Sequence, residues 1–372
     1  MGAEPTPHVA ARLEEALMTV RDRIAEFCSR FSVKMPVLLA PMAGVSAPPL
    51  SAAVMQAGGM GALGALLLQP AEILDWVSTV GALADGPFQL NLWVPDPAPA
   101  RDPAAEFEVR RFLSAWGPEV PDTAGDARPP DFASQFEALL DAQPAAVSSV
   151  MGLFPPAMIA QLKERKIAWF AAVSTLREAL EAEAHGADVI VAQGMEAGGH
   201  RAAFDARKAE QELVGLFSLL PAIVDAVRIP VVATGGIADG RGVAAALTLG
   251  ASAVQIGTGF LRCPEAGINP AWADALSRSA PEDTCVSRAF SGRAGRSIAT
   301  SYVRAVLGPG APSPAPYPVQ RGLTAAMRKQ AEDAGGVERM QAWAGQSAAL
   351  ASTEPAMTLT NRIWSEAEAL LA

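Results

Sequence analysis

The segment Gln193-Gly194-Met195-Glu196-Ala197-Gly198-Gly199-His200-Arg201 carries the densest chemistry in this chain. It follows an apolar run, Asp188–Ala192, that reads as a buried β-strand. Adjacent glycines let backbone approach a bulky ligand closely. Of the three histidines, only His200 comes just past the C-terminal end of a predicted strand. An imidazole placed there can accept a proton from a substrate at neutral pH. Its other reading is a hydrogen-bonded anchor for the loop.

Two further glycine clusters suggest a phosphate site. One is Ala233-Thr234-Gly235-Gly236-Ile237-Ala238-Asp239-Gly240-Arg241-Gly242, which leads into an Ala-rich helix. The other is Gln255-Ile256-Gly257-Thr258-Gly259. A phosphate needs converging N–H donors with no side chains in the way, and glycine-rich turns at a helix start supply them. Each pair alone could be a tight turn. Both in register, at the ends of the last two predicted strands, point to the phosphate-binding version of a barrel. Earlier in the chain, Pro41-Met42-Ala43-Gly44 and Asn91 could offer apolar contact and an amide to a flat heterocycle. On composition alone Met42 reads as core filler and Asn91 as a turn former.

The elements that must position these residues follow a regular rhythm. Short apolar strands are expected at Val37–Pro41, Gly61–Leu66, Phe88–Val94, Ala146–Gly152, Ile167–Val173, Asp188–Gln193, Pro230–Thr234 and Ala253–Gly257. Ala-rich helical segments separate them, which implies right-handed βαβ units and a parallel sheet. Eight such units predict an α/β fold, a closed TIM (β/α)8 barrel, whose C-terminal strand edge is where chemistry is done. Residues 9–31 space Val9, Leu13, Leu17, Val20, Ile24, Phe27 and Phe31 as an amphipathic helix ahead of the barrel. A proline cluster at 95–131 is too long for an ordinary loop and reads as an insertion after the third strand. Residues 262–318 end in a Pro-rich linker, and 320–371 look helical. The expected organisation is an N-terminal helix at 1–35, the barrel at 36–310, and a linker with helical extension at 311–372.

Composition narrows the partners. The chain has 372 residues, half of them hydrophobic, with net charge −10. That charge argues against a nucleic-acid backbone or an anionic membrane, and no apolar run is long enough to span a membrane. Cys28, Cys263 and Cys285 are odd in number and show no C-x-x-C spacing, so neither a disulfide framework nor a metal site is expected. A reducing cytoplasm fits, and a homodimer is compatible with the sequence without being specified by it. Met1-Gly2 with Thr6 formally matches a myristoylation pattern, but Glu4 and Pro5 read as an ordinary tail.

Together these pieces resemble the nitronate monooxygenases of the bacterial class-I type, formerly called 2-nitropropane dioxygenases. The matching stretches are Ala40-Pro-Met-Ala-Gly44, Asn91, Gln193–Arg201, Gly235–Gly242, Gln255–Thr258, Ser291-Gly-Arg293 and Trp343-Ala-Gly-Gln346, in family order. The resemblance implies a barrel holding FMN without a covalent link. It implies that Asn91, Gln193, Gly198, Gly236 and Gln255 to Thr258 contact the FMN, and that His200 is the catalytic base. With the glycine clusters, the expected cofactor set is Met42, Ala43, Gly44, Asn91, Gln193, Gly198, Gly199, Gly235, Gly236, Gln255, Ile256, Gly257 and Thr258. The implied reaction oxidises an alkyl nitronate, propionate 3-nitronate included, with O2 to a carbonyl compound and nitrite. Nitroalkanes are a further substrate class. Family members can hold a substrate carboxylate with tyrosines and a lysine, whereas this chain has only Tyr302 and Tyr317. Arg293, Arg296, Tyr302 or Arg304 could serve instead.

The remaining candidates read as structural. His185 stands at a helix end on the opposite barrel face, as a C-cap. His8 belongs to the tail. Cys263 reads as packing, and Glu196 and Asp239 could each cap a helix. Two other functions stay open. One is an FMN-dependent NAD(P)H reductase of quinones or enoyl thioesters on the same barrel, although no G-x-G-x-x-G unit is present. The other is a non-catalytic barrel that binds a phosphorylated ligand.

Overall fold

In the computed structural model, residues 19–45 and 47–372 are described. The first half of the expected N-terminal helix therefore lies outside the described residues. Its second half is α1, Val20–Phe31. The Thr19 hydroxyl accepts from the Asp22 N–H at 3.2 Å while the Asp22 carboxylate accepts from Thr19, a reciprocal cap that starts the helix. Phe27 and Phe31 are buried among Leu38, Met60, Phe170 and Val191, so α1 plugs the N-terminal end of the barrel.

Eight parallel strands form that barrel: β1 Val37–Leu39, β2 Gly61–Gly64, β3 Phe88–Trp93, β4 Ala146–Val150, β5 Ala168–Val173, β6 Val189–Gln193, β8 Val231–Thr234 and β9 Ala253–Ile256. All eight fall within the runs expected from the sequence. β1 pairs with β9, and the ring closes where Leu39 N–H donates to Met60 O at 2.9 Å and Met60 N–H to Val37 O at 3.2 Å. The strands read as near-continuous apolar runs because helices cover them outside and the barrel core fills them inside. Those helices are α2 Pro48–Ala57, α3 Pro70–Leu83, α5 Phe132–Asp141, α6 Pro156–Glu164, α7 Leu176–Ala184, α8 Leu216–Val224 and α9 Gly240–Thr248.

The eighth outer helix comes from far along the chain. After β9 the chain leaves the barrel. It returns only as α14, Ala356–Leu371, which packs against α9 and α2. Ala356, Leu359, Ile363 and Ala367 bury one face of α14. Close approach depends on Gly240, where a Cβ would lie 2.3 Å from the Glu366 Cβ.

Two structures surmount the C-terminal end of the barrel. A small antiparallel sheet joins β7 Gly199–His200, β10 Thr284–Ser287 and β11 Gly295–Ile298 in the order β10-β11-β7. The sequence reading did not anticipate it, because β7 is two residues long and shows no period. The second is a cap. The 95–131 insertion contributes α4, Pro103–Leu113, and residues after the barrel contribute α10 Pro270–Arg278, α11 Ser301–Leu307, α12 Val319–Leu323 and α13 Ala325–Ala334. Val109, Leu113 and Val120 of the insertion share a core with Phe290, Tyr302, Val319, Leu323 and Met327. Gly322 permits this contact, since a Cβ there would fall 2.0 Å from Ala124 O. An internal ion cluster, Arg101 with Glu106 and Asp126, closes the insertion on itself.

Candidate active site

β7 is where the barrel hands His200 to the mouth. Its register is fixed by Gly295 opposite His200 and Arg296 opposite Gly199. Gln193, at the end of β6, ties the other side: its Nε2 donates to His200 O at 3.0 Å and its Oε1 accepts from Ala202 N–H at 2.9 Å. Arg201 is fully buried and clamps the same loop, donating to Gly194 O at 2.7 Å and Gln193 O at 3.1 Å. The backbone around His200 is thus held on both sides.

The imidazole lies between two tryptophans. Trp93 stands edge-on at 4.6 Å between ring centroids and Trp343 at 4.7 Å. Nε2 is 2.7 Å from the Ser291 hydroxyl, which also accepts from Arg293 N–H at 3.2 Å. Either imidazole tautomer satisfies the pair, so the contact fixes the ring plane in both. Burial, followed by the charges of Arg293 and Arg321, pulls the His200 pKa down from 6.5 to about 3. At neutral pH the ring is therefore uncharged and has low affinity for a second proton. This differs from the near-neutral value assumed from the residue type, because desolvation and neighbouring cations both penalise the imidazolium.

One cavity of about 530 Å³ collects most of the expected site. Met42, Ala43, Gly44, Asn91, Gln193, Gly198, Gly199, His200, Gly235, Gly236, Gln255, Gly257 and Thr258 all line it. Ile256 does not; its side chain faces the outer core. Gly235 and Gly236 have φ of +116° and +70°, a backbone that glycine adopts without strain. At Gly44 and Gly199 a Cβ would meet nothing within 4 Å, so the missing side chains leave room inside the cavity. Asn91 donates to the Ser148 hydroxyl at 3.0 Å, and Gln255 accepts from Gln89 at 2.9 Å. Neither amide uses all its hydrogen-bonding capacity in these contacts.

Arg293, Arg296 and Tyr302 lie outside the cavity lining. Arg293 is 3% exposed, donates to Ala203 O at 3.1 Å and faces Asp96 at 3.4 Å. Arg296 donates to Met195 O at 2.9 Å and to Thr284. Tyr302 is fully buried, with its hydroxyl on Ala289 O at 3.0 Å. All three hold loops together, which backbone carbonyls ask of buried donors. Arg304 likewise donates to Ala299 O. Among the described residues, the cations that do reach the cavity are Arg321 of α12 and Arg328 of α13. Arg328 is bonded to Thr324, Gln341 and Arg321 O. The Arg321 guanidinium has no hydrogen-bond or ion-pair partner among the described residues, and burial lowers its pKa. Sequence reasoning missed this pair, and also Trp93. The only available signal was the seven-residue spacing of Arg321 and Arg328, which a helix boundary interrupts.

The capping readings hold. Glu196 accepts from Leu216 N–H at 2.9 Å at the start of α8, and Asp239 from Gly242 N–H at 3.1 Å at the start of α9. His185 is the C-cap of α7. Cys263 is buried and its thiol is pushed up to about 12 by burial and by Glu265 and Glu354, so it stays protonated. Among the described residues no group of His, Cys, Asp and Glu could hold a metal, and no helix is long and apolar enough to cross a membrane.

A closed parallel barrel with a glycine-lined cavity and, among the described residues, one histidine at its C-terminal mouth defines a ligand-binding barrel enzyme. The sequence profile of the nitronate monooxygenase family matches residues 26–366, so the chain belongs to that family and is an oxidoreductase. It is 39% identical over 337 residues to the nitronate monooxygenase of Paraburkholderia phytofirmans, covering 89% of this chain and 92% of that one. Its fold matches nitroalkane oxidase from Streptomyces ansochromogenes with a TM-score of 0.85 and 34% identity, over 93% of this chain and 100% of the other. FabK from Thermotoga maritima matches with a TM-score of 0.73 and 26% identity, over 93% and 96%.

Proposed function

We propose that this protein binds FMN in the barrel-mouth cavity and oxidises alkyl nitronates with O2 to a carbonyl compound and nitrite. The observation that carries the reading is His200, held neutral between Trp93 and Trp343 on the wall of a glycine-lined cavity. The residues present fit the cofactor. The cavity volume lies within the usual range for small-molecule sites, about 300–1,000 Å³. Gly235, Gly236, Gly257 and Thr258 would take the phosphate. Met42, Ala43 and Gly44 would meet the ring system, with Asn91, Gln193 and Gln255 as amide partners. Bound there, FMN supplies the electron-transfer chemistry.

The chain's own residues do the rest. Trp93 and Trp343 shield the His200 side of the cavity from water. Gln193 and Arg201 keep the His200 backbone in place. A neutral imidazole with low proton affinity is a modest base, which favours a substrate that has already lost its proton. A nitronate is such a substrate, and Arg293 and Arg321 near His200 favour its negative charge. Propionate 3-nitronate adds a carboxylate. Arg321, whose guanidinium makes no hydrogen bond or ion pair among the described residues, is the group we assign to it in place of Arg293, Arg296 or Tyr302.

The reading is tested by incubating the purified yellow protein with an alkyl nitronate in air, without NADH. Nitrite should appear, and it should not appear under nitrogen. Absence of nitrite, with rapid NADH oxidation by a quinone acceptor, would move the assignment to the reductase reading.

A further inference from the structure

Residues Gly345–Ser347, beyond the cap helices, run across the cavity wall and touch three separate barrel loops. Gly345 N–H donates to the Thr258 hydroxyl at 3.0 Å, in the loop after β9. Gln346 N–H donates to Glu196 O at 2.9 Å, in the loop after β6. The Ser347 hydroxyl donates to Gly236 O, in the loop after β8. The backbones meet closely. A Cβ on Gly198 would lie 2.5 Å from Gly345 N, and one on Gly345 would lie 2.9 Å from Glu196 O. Gly345 and Ser347 both line the cavity.

We propose that Gly345–Ser347 is a strap forming the third wall of the phosphate pocket, and that it sets how firmly the phosphate end of the cofactor is held. This rests on the FMN reading above. Two details give the strap its effect. Thr258 accepts from Gly345, and its own hydroxyl proton has no acceptor among the described residues, so it is left to donate toward a phosphate oxygen. Ser347 gives its proton to the Gly236 carbonyl, which pins a glycine at φ +70° beside the same pocket. Ser347 is thus a positioning residue. A ligand that needs the loops after β8 and β9 in one arrangement, and a strap that fastens those loops in that arrangement, must stabilise each other.

The test is a flavin titration of the full chain after cofactor removal, comparing FMN with riboflavin, which lacks the phosphate. Ser347→Ala removes one neutral hydrogen bond and should weaken FMN by about 2–10-fold while leaving riboflavin unchanged. Ser347→Thr keeps the hydroxyl and should restore FMN affinity. Thr258→Val removes the donor itself and should cost FMN about 10–100-fold, again sparing riboflavin. Unchanged FMN affinity in Ser347→Ala, or equal losses for FMN and riboflavin, would overturn the strap. Failure of the unaltered protein to bind FMN would overturn the cofactor reading and the strap with it.

Discussion

The barrel and the cap build the same cavity from different materials. Beside Met42, Asn91, Trp93, Gln193 and His200, the barrel contributes mostly backbone and small residues: Gly44, Gly198, Gly199, Gly235, Gly236, Gly257 and Thr258. The cap and the segment that follows it contribute large side chains: Arg321, Arg328, Gln341 and Trp343. A wall of N–H groups recognises a phosphate whatever else the ligand carries, and it tolerates no added bulk. A wall of side chains selects ligands by charge and shape, and single substitutions retune it. The barrel half is therefore where cofactor binding should break, and the cap half is where substrate choice should shift.

The sharpest way to break the barrel half is Gly236→Val. The residue has φ +70°, and its Cβ would lie 3.2 Å from the Glu196 Cβ. The folded variant should be colourless; stoichiometric FMN in a protein with native circular dichroism would contradict the placement. Next comes His200→Asn at full flavin occupancy. Loss of so weak a general base is expected to lower turnover of neutral nitroalkanes toward the low end of the usual range, about 10²-fold. Preformed nitronates should lose far less, because their proton is already gone. Equal losses would make His200 a charge-stabilising group.

The pH dependence sharpens the same point. The folded His200 pKa is about 3 against 6.5 ordinarily. Between those values the unfolded chain binds a proton here that the folded chain does not. Stability from this group is therefore full above about pH 6.5 and falls as pH drops toward 3. Thermal melts from pH 7 to 4 should show a shallower decline in His200→Asn than in the unaltered protein. An identical decline would place the acid sensitivity elsewhere.

The cap half predicts a smaller, selective change. Arg321→Met should raise KM for a carboxylate-bearing nitronate by about 10–100-fold, the worth of a charge-assisted hydrogen bond. KM for a neutral-chain alkyl nitronate should move little. Tyr302→Phe is the contrast within the cap. Its hydroxyl donates to Ala289 O, which Gln320 also serves at 2.9 Å, so about 1 kcal/mol of stability is at stake and no selectivity. A substrate-specific KM effect from Tyr302→Phe would return that residue to the binding site.

Much of this was legible in local pattern. Each barrel strand is a short apolar run between glycine or proline breaks, and parallel strands covered on both sides need no other code. The glycine clusters were legible because positive φ restricts the residue type in the chain itself. His200 was legible because its type and its place after β6 coincide. What escaped was set by contacts distant in sequence. β7 exists because Gly295 and Arg296, about a hundred positions on, pair with it. Arg293, Arg296 and Tyr302 had the right chemistry, but buried carbonyls of other loops take their donors. Arg321 has no such acceptor, a fact that depends on how α12 packs against the insertion. The place of α14 in the outer ring follows likewise from packing: its apolar stripe marks a buried helix, but only the open gap between α9 and α2 says where. Residue type and period thus determined the barrel and the histidine at its mouth. Tertiary structure alone decided which cation is left unpaired to face a ligand, because an unpaired donor is defined by what every other part of the chain fails to supply.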